Sequence, residues 1–169
     1  MDVDDIRIYP DPVLRRKAKR IREIDEEVYQ RAQDMLEVMY LDDGVGLAAP
    51  QVGWSRSLIT LDVTGEQEGE RIFVNPKIVE TKGEYEDFEG CLSLPGLRAK
   101  VVRAEHVYVV AYDLEGHKVE MEAEGLAARA WQHELDHLNG VLFVDRISPA
   151  ERLALRRRLK DFEEAFQQQ

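Results

Sequence analysis

Two histidines four residues apart, His133 and His137, bracket Glu134 in the stretch Gln132-His133-Glu134-Leu135-Asp136-His137. On a helix, residues four apart share one face about a turn from each other, so both imidazoles can reach one ion. Glu134 is rotated by about 100 degrees from His133 and can reach a water on that ion without ligating the ion itself. The spacing suits metal-assisted hydrolysis, but helices whose histidines merely pack or face solvent show it too. Two histidines make an incomplete site, so a third ligand has to come from elsewhere. The only thiol is Cys91, in Glu89-Gly90-Cys91-Leu92-Ser93-Leu94-Pro95-Gly96, a loop or short strand whose glycines and proline can hold it rigidly. A single cysteine excludes an intrachain disulfide; the alternative role for it is a small buried hydrophobe. Asp136 is close enough to orient an imidazole, although a solvated carboxylate is the simpler reading.

The ligand helix is expected over residues 125–139, where strong helix formers run into the stop Asn139-Gly140. A first helix is expected over 21–40, since Ile24, Val28, Ala32, Met35 and Met39 recur at spacings of three and four before the turn Asp42-Asp43-Gly44. Residues 44–53, GVGLAAPQVG, carry three glycines and a proline and predict an ordered loop, neither helix nor strand. Strands are expected at 57–63 and 71–81 around a polar loop, and a hairpin at 106–112 and 117–123. A last helix over 148–166 has Ser148 to cap it, Pro149 in its first turn and Glu151 three residues after the cap. Its buried face would be Leu155, Leu159, Phe162 and Phe166. The sum is one α+β domain over 1–169, with mixed, mainly antiparallel strands packed around a central ligand helix and helices at both ends.

With 44% hydrophobic residues, 169 residues suffice for a sizeable core. The 34 acidic and 23 basic residues give a net charge of -11, which argues against broad binding to DNA or anionic membranes. Any polyanion partner would have to meet a local basic patch. The acidic start MDVDDIRIYP lacks the features of a secretory or transit signal, and no apolar run approaches the roughly 20 residues that span a bilayer. The expected location is the cytoplasm.

Three segments, Gly44-Val45-Gly46-Leu47-Ala48-Ala49-Pro50-Gln51-Val52-Gly53, Glu89-Gly90-Cys91-Leu92-Ser93 and Gln132-His133-Glu134-Leu135-Asp136-His137, resemble in order and spacing the three motifs of the peptide deformylases. The likeness includes Tyr9-Pro10-Asp11-Pro12-Val13-Leu14-Arg15 and runs to about residue 147. It implies a hydrolase that removes the formyl group from the N-terminal formyl-methionine of nascent polypeptides. It further implies Cys91, His133 and His137 as ligands of one ferrous ion, with zinc or nickel as substitutes; ligand softness alone would suggest zinc. Glu134 would be the general base and then the acid. The Gln51 amide and the backbone N–H of Leu92 would receive the charge developing on the formyl oxygen. Substrate contacts implied by the same motifs fall on Gly46, Glu89 and Gly90, and the bareness of Gly46 would let peptide backbone approach closely.

For the side-chain pocket the candidates are Val45, Leu126 and Arg129, the last with its stem on the pocket and its guanidinium in solvent. Arg98 is a candidate for peptide carbonyls or a carboxylate, or else a surface ion pair. The cations Arg152, Arg156, Arg157, Arg158 and Lys160 read first as solvated charge on the last helix. Because the family acts on chains leaving the ribosome, contact with ribosomal RNA is a second reading. A metallopeptidase is the rival within enzymes and would need neither Gln51 nor Cys91; a metal-binding or ribosome-binding module without catalysis would have no use for Glu134.

Overall fold

The computed structural model describes residues 1–169. The helices are α1 (Glu26–Leu41), α2 (Gly125–Leu138) and α3 (Pro149–Gln167), and the strands are β1 (Gly46–Ala48), β2 (Leu58–Leu61), β3 (Ile72–Lys82), β4 (Tyr85–Cys91), β5 (Leu94–Arg103), β6 (His106–Tyr112) and β7 (Lys118–Glu124). The strands form a five-stranded sheet in the order β1-β2-β3-β6-β7 and a separate β4-β5 pair. Every named pairing is antiparallel.

Period-two patterning sets what each strand buries. Strand β6 turns Val107, Val109 and Ala111 inward, where they meet Ala128, Ala130, Trp131 and Leu138 of α2. Trp131 lies against Phe73 of β3 with ring centroids 4.6 Å apart. Helix α1 buries Val28, Ala32, Met35, Leu36, Val38 and Met39 in a second cluster with Leu47 and Leu58. Helix α3, capped by Ser148 as expected, with its Oγ accepting from Glu151 N at 3.1 Å, closes a third cluster through Leu155 and Leu159. Phe162 packs at the edge of that cluster, and Phe166 is only half-buried. The apolar flank of α2 thus lies on the large sheet.

Three expectations need correction. Residues 44–53 are not a loop throughout, because Leu47 and Ala48 pair with Thr60 and Ile59 as an edge strand. Residues 49–52 then form a short 3-10 turn, and Gly53 leaves it at φ +80°. The first helix starts at Glu26 rather than 21, since the side chain of Asn75 both accepts from Ile21 N and donates to Ile21 O, holding that backbone extended, and Asp25 caps the helix by accepting from Val28 N. The segment around Cys91 is not an isolated loop or short strand but one end of a long pair, in which β5 turns Leu97, Ala99, Val101 and Arg103 inward.

Candidate active site

Cys91 ends β4 just before the two-residue turn at Leu92 and Ser93, while α2 presents His133 and His137 from the opposite side. The three donor atoms lie within 4.8 Å of one another. His137 Nε2 is 3.2 Å from His133 Nε2 and 3.3 Å from Cys91 Sγ. A tetrahedral ion with ordinary bond lengths separates two nitrogens by about 3.3 Å and a nitrogen from a sulfur by about 3.6 Å. The set therefore fits one ion with little movement and leaves a coordination position for a non-protein ligand, the arrangement of catalytic rather than closed sites.

The tautomer of His133 is fixed by its other nitrogen. Glu89 Oε1 is 2.7 Å from His133 Nδ1, which commits that nitrogen to donating and leaves the Nε2 lone pair free for a metal. Glu89 is itself held by two guanidinium groups. Arg103 donates through Nε and Nη2 at 2.8 and 2.9 Å, and Arg129 through Nη1 at 2.7 Å. Burial alone would raise the Glu89 carboxyl, but Arg103 and His133 outweigh it and hold it far below the usual carboxylate range. Arg103 also donates to Asp136 at 2.6 Å, and Asp136 accepts two further bonds from Arg146. Asp136 is thus tied into an ion ladder, not simply solvated.

Glu134 contrasts with Glu89. It is buried, its Oε1 has no hydrogen-bond partner within the protein, and burial pushes its pKa up to about 7. A buried polar atom left without a protein partner points to a ligand outside the protein. Burial lowers both histidines, but Glu134 and the bonds to Cys91 and Glu89 raise His133 well above its ordinary value, while burial and His133 hold His137 well below. Gln51 is locked at both ends of its amide. Its Oε1 accepts from Ala48 N at 2.9 Å, and its Nε2 donates to Ser93 Oγ at 3.1 Å and faces Cys91 Sγ at 3.6 Å. The turn-stabilising role and the site-facing role thus fall on opposite ends of one side chain.

Residues 3–153 match the sequence profile of the family described as polypeptide deformylase. The chain belongs to the polypeptide deformylase family. The activity that goes with membership is removal of the formyl group from nascent polypeptides, in a family that is metal-dependent. A peptide deformylase of Thermodesulfovibrio yellowstonii is 44% identical over 162 residues, covering 95% of this chain and 98% of its own. One from Thermotoga maritima is 48% identical over 157 residues, covering 92% and 94%. Among solved structures, peptide deformylase from Legionella pneumophila superposes with a TM-score of 0.88 at 45% identity over 97% of both chains. Peptide deformylase 1B of Arabidopsis thaliana does so with 0.93 at 40% identity, over 99% of this chain and 93% of its own.

In this deformylase chain the expected residues converge on one cleft of about 570 Å³, lined by Val45, Gly46, Gln51, Glu89, Gly90, Cys91, Leu92, Arg98, Leu126, Arg129, His133 and Glu134. Exposed Val45 and Leu126 stand at its mouth with Phe88, which sequence reading did not single out. Arg98 is exposed and has no ion-pair partner, so the surface salt bridge is not there. Arg129 differs from expectation. Its side chain is 3% exposed, and its guanidinium donates to Glu89 and to the carbonyls of Val101 and Tyr85 and lies over the Tyr85 ring. A guanidinium can be buried there because every donor it turns inward meets an acceptor. Gly46 is bare for a reason the sequence did not show: a Cβ there would meet Glu134 Oε2 at 2.5 Å. Arg103 was also missed, although an arginine at an inward position of the alternating run Leu97, Ala99, Val101 was the available signal.

Proposed function

We propose that this chain hydrolyses the formyl group from N-formylmethionyl nascent peptides, with Cys91, His133 and His137 holding one divalent ion. The ion supplies polarisation of the formyl oxygen and a nucleophile at neutral pH. Glu134 takes the proton released at attack and returns it to the departing amine, which would otherwise be a poor leaving group. The Gln51 amide and the Leu92 N–H stabilise the oxyanion, and loss of one such donor typically costs a hundredfold or more in rate. Val45, Gly46, Gly90, Leu126 and Arg98 contact the peptide, while Glu89 and Arg129 reach it only as the inner wall. The observation that carries this reading is an unpartnered, buried Glu134 beside three converging donor atoms.

The metal is proposed to be ferrous iron, with zinc or nickel as substitutes, and the site of action the cytoplasm; no helix is long and apolar enough to cross a membrane. Contact of α3 with the ribosome is proposed through Arg156, Arg158 and Lys160, because Arg152 is engaged by the Val144 carbonyl and Arg157 pairs with Asp161. Charge reversal at Arg156 and Arg158 that left ribosome co-sedimentation intact would remove that contact. The test of function is formate release from formyl-Met-Ala-Ser by anaerobically purified protein, with metal measured on the same sample. Turnover that tracks bound iron and is absent with acetyl-Met-Ala-Ser supports the assignment; full metal without formate refutes it.

A further inference from the structure

Residues 15–22 read Arg-Arg-Lys-Ala-Lys-Arg-Ile-Arg, six cations without one acid in a chain of net charge -11. Nothing in the proposed chemistry uses them. Past a 3-10 turn that ends at Arg15, the backbone of the segment is pinned on both sides. Ala18 N donates to Leu138 O at 2.8 Å, Lys19 N donates to Ser55 O at 3.1 Å, and Lys19 O accepts from Ser57 N at 2.8 Å. Ile21 is buried and clasped by Asn75. The inward positions are thus anchors, and Arg16, Lys17, Lys19, Arg20 and Arg22 are all exposed.

Two cations from neighbouring segments extend this belt. Arg56 is bridged to Lys19, and Lys77 lies on β3 across from Arg20 in a groove of about 650 Å³ that Lys17, Ser57 and Asn139 also line. Arg20 also borders a second groove of about 590 Å³, lined by the cations Lys19, Arg22 and Arg56, by Trp54 and by the acids Glu23, Asp25 and Glu27. None of the seven exposed cations forms an ion pair or a side-chain hydrogen bond, whereas Arg15 beside them is paired with Asp145. The first groove has no acid in its lining. Neither groove shares a residue with the catalytic cleft, so a partner seated here leaves the mouth open.

We propose that this belt is a docking surface for the sugar–phosphate backbone of folded RNA. Unpaired cations on a pinned backbone beside a groove suit a polyphosphate, which gains from counterion release without needing base contacts. A lipid surface would call for apolar side chains among the cations, and the exposed large hydrophobic residues of this protein all lie outside the belt. The choice of RNA among polyanions rests on the nascent-chain reading above, since the substrate would be presented by an RNA-rich machine.

The test is binding of the full chain to a fluorescently labelled RNA stem-loop, followed by polarisation between about 50 and 200 mM salt, with phosphatidylserine vesicles in parallel. Each phosphate contact is worth about 3.5-fold over that salt range, so six contacts predict a loss of about a thousandfold. The triple variant K17E/R20E/K77E should flatten the salt slope by about 3 × 0.9 and weaken binding at least tenfold at low salt. A second variant, R16Q/R22Q, should weaken it less. Wild-type protein that fails to bind the RNA at low salt, variants that bind like wild type, or binding to vesicles in place of RNA would each overturn the proposal. Formate release from the free peptide is expected to be unchanged in K17E/R20E/K77E and is scored separately, so a failed deformylase reading shows as wild-type protein that releases none.

Discussion

Gly46→Ala displaces Glu134 without altering a proposed metal ligand, at a position that is also proposed to contact the peptide. A Cβ on residue 46 would sit 2.5 Å from Glu134 Oε2 and 3.0 Å from its Cδ and Cγ. Ordinary contact begins near 3.4 Å, so the carboxylate has to withdraw by about 0.9 Å. Residue 46 is not in the left-handed region, so the new methyl strains no backbone torsion, and replacing glycine narrows the unfolded ensemble by about 0.4–1 kcal/mol. Global stability should therefore change by less than about 1 kcal/mol. A displacement of about 1 Å in a reacting group can cost a hundredfold in rate, or about 2.7 kcal/mol of transition-state stabilisation. The expected result is kcat/KM for formyl-Met-Ala-Ser reduced about a hundredfold, with metal stoichiometry and thermal midpoint close to wild type. A Gly46→Ala protein with near-normal turnover would refute the reasoning, because the carboxylate could then move that far without consequence.

Glu89→Gln should loosen the metal, since the His133 Nδ1 partner loses its charge, and should also lower stability, since two buried guanidinium groups lose their shared anion; an affinity loss of about 10–100-fold, read by chelator competition on the folded protein, is expected. Arg129→Met removes one of two guanidinium partners from a buried carboxylate and should destabilise by about 3 kcal/mol in urea unfolding. Burial raises the Asp62 carboxyl, but bonds donated by Tyr40, Gln67, Gly65 and Thr64 more than offset it and leave its folded pKa low. A depressed folded pKa stabilises above the unfolded value of about 3.9 and loses that contribution as pH falls through the folded value. Asp62→Asn should accordingly lower the urea midpoint at pH 7 and differ less from wild type near pH 3; a gap that widens in acid would contradict this sign.

Helix α2, the β6–β7 hairpin and α3 were legible because long periodic runs end at explicit stops, Asn139-Gly140 and Ser148-Pro149 among them. Strand β1 was hidden by its length: three residues between glycines carry no period, and pairing with β2 supplies what propensity does not. The β4 arm was hidden differently. Its run Tyr-Glu-Asp-Phe-Glu-Gly-Cys is mostly exposed, and its one fully buried residue, Glu89, is a carboxylate. The convergence of Cys91, His133 and His137 could be expected from spacing and resemblance, whereas the Glu89–Arg103–Asp136 ladder joins residues 14 and 33 positions apart and exists only after folding.

What the fold adds to the motif is a rotation of α2 that satisfies several requirements together. His133 and His137 face Cys91, and Glu134, turned by about 100 degrees, faces Gly46. Arg129, one turn before His133, reaches Glu89, and Asp136 meets Arg103 and Arg146. The apolar positions between them, Ala128, Ala130, Trp131 and Leu138, lie in the cluster under the large sheet and fix that rotation. Turning the helix by one residue would move Glu134 toward the proposed metal position and take Arg129 away from Glu89. The proposed ligands, the proposed base and the ion ladder therefore call for the same helix setting, which the packing of Trp131 on Phe73 helps to hold.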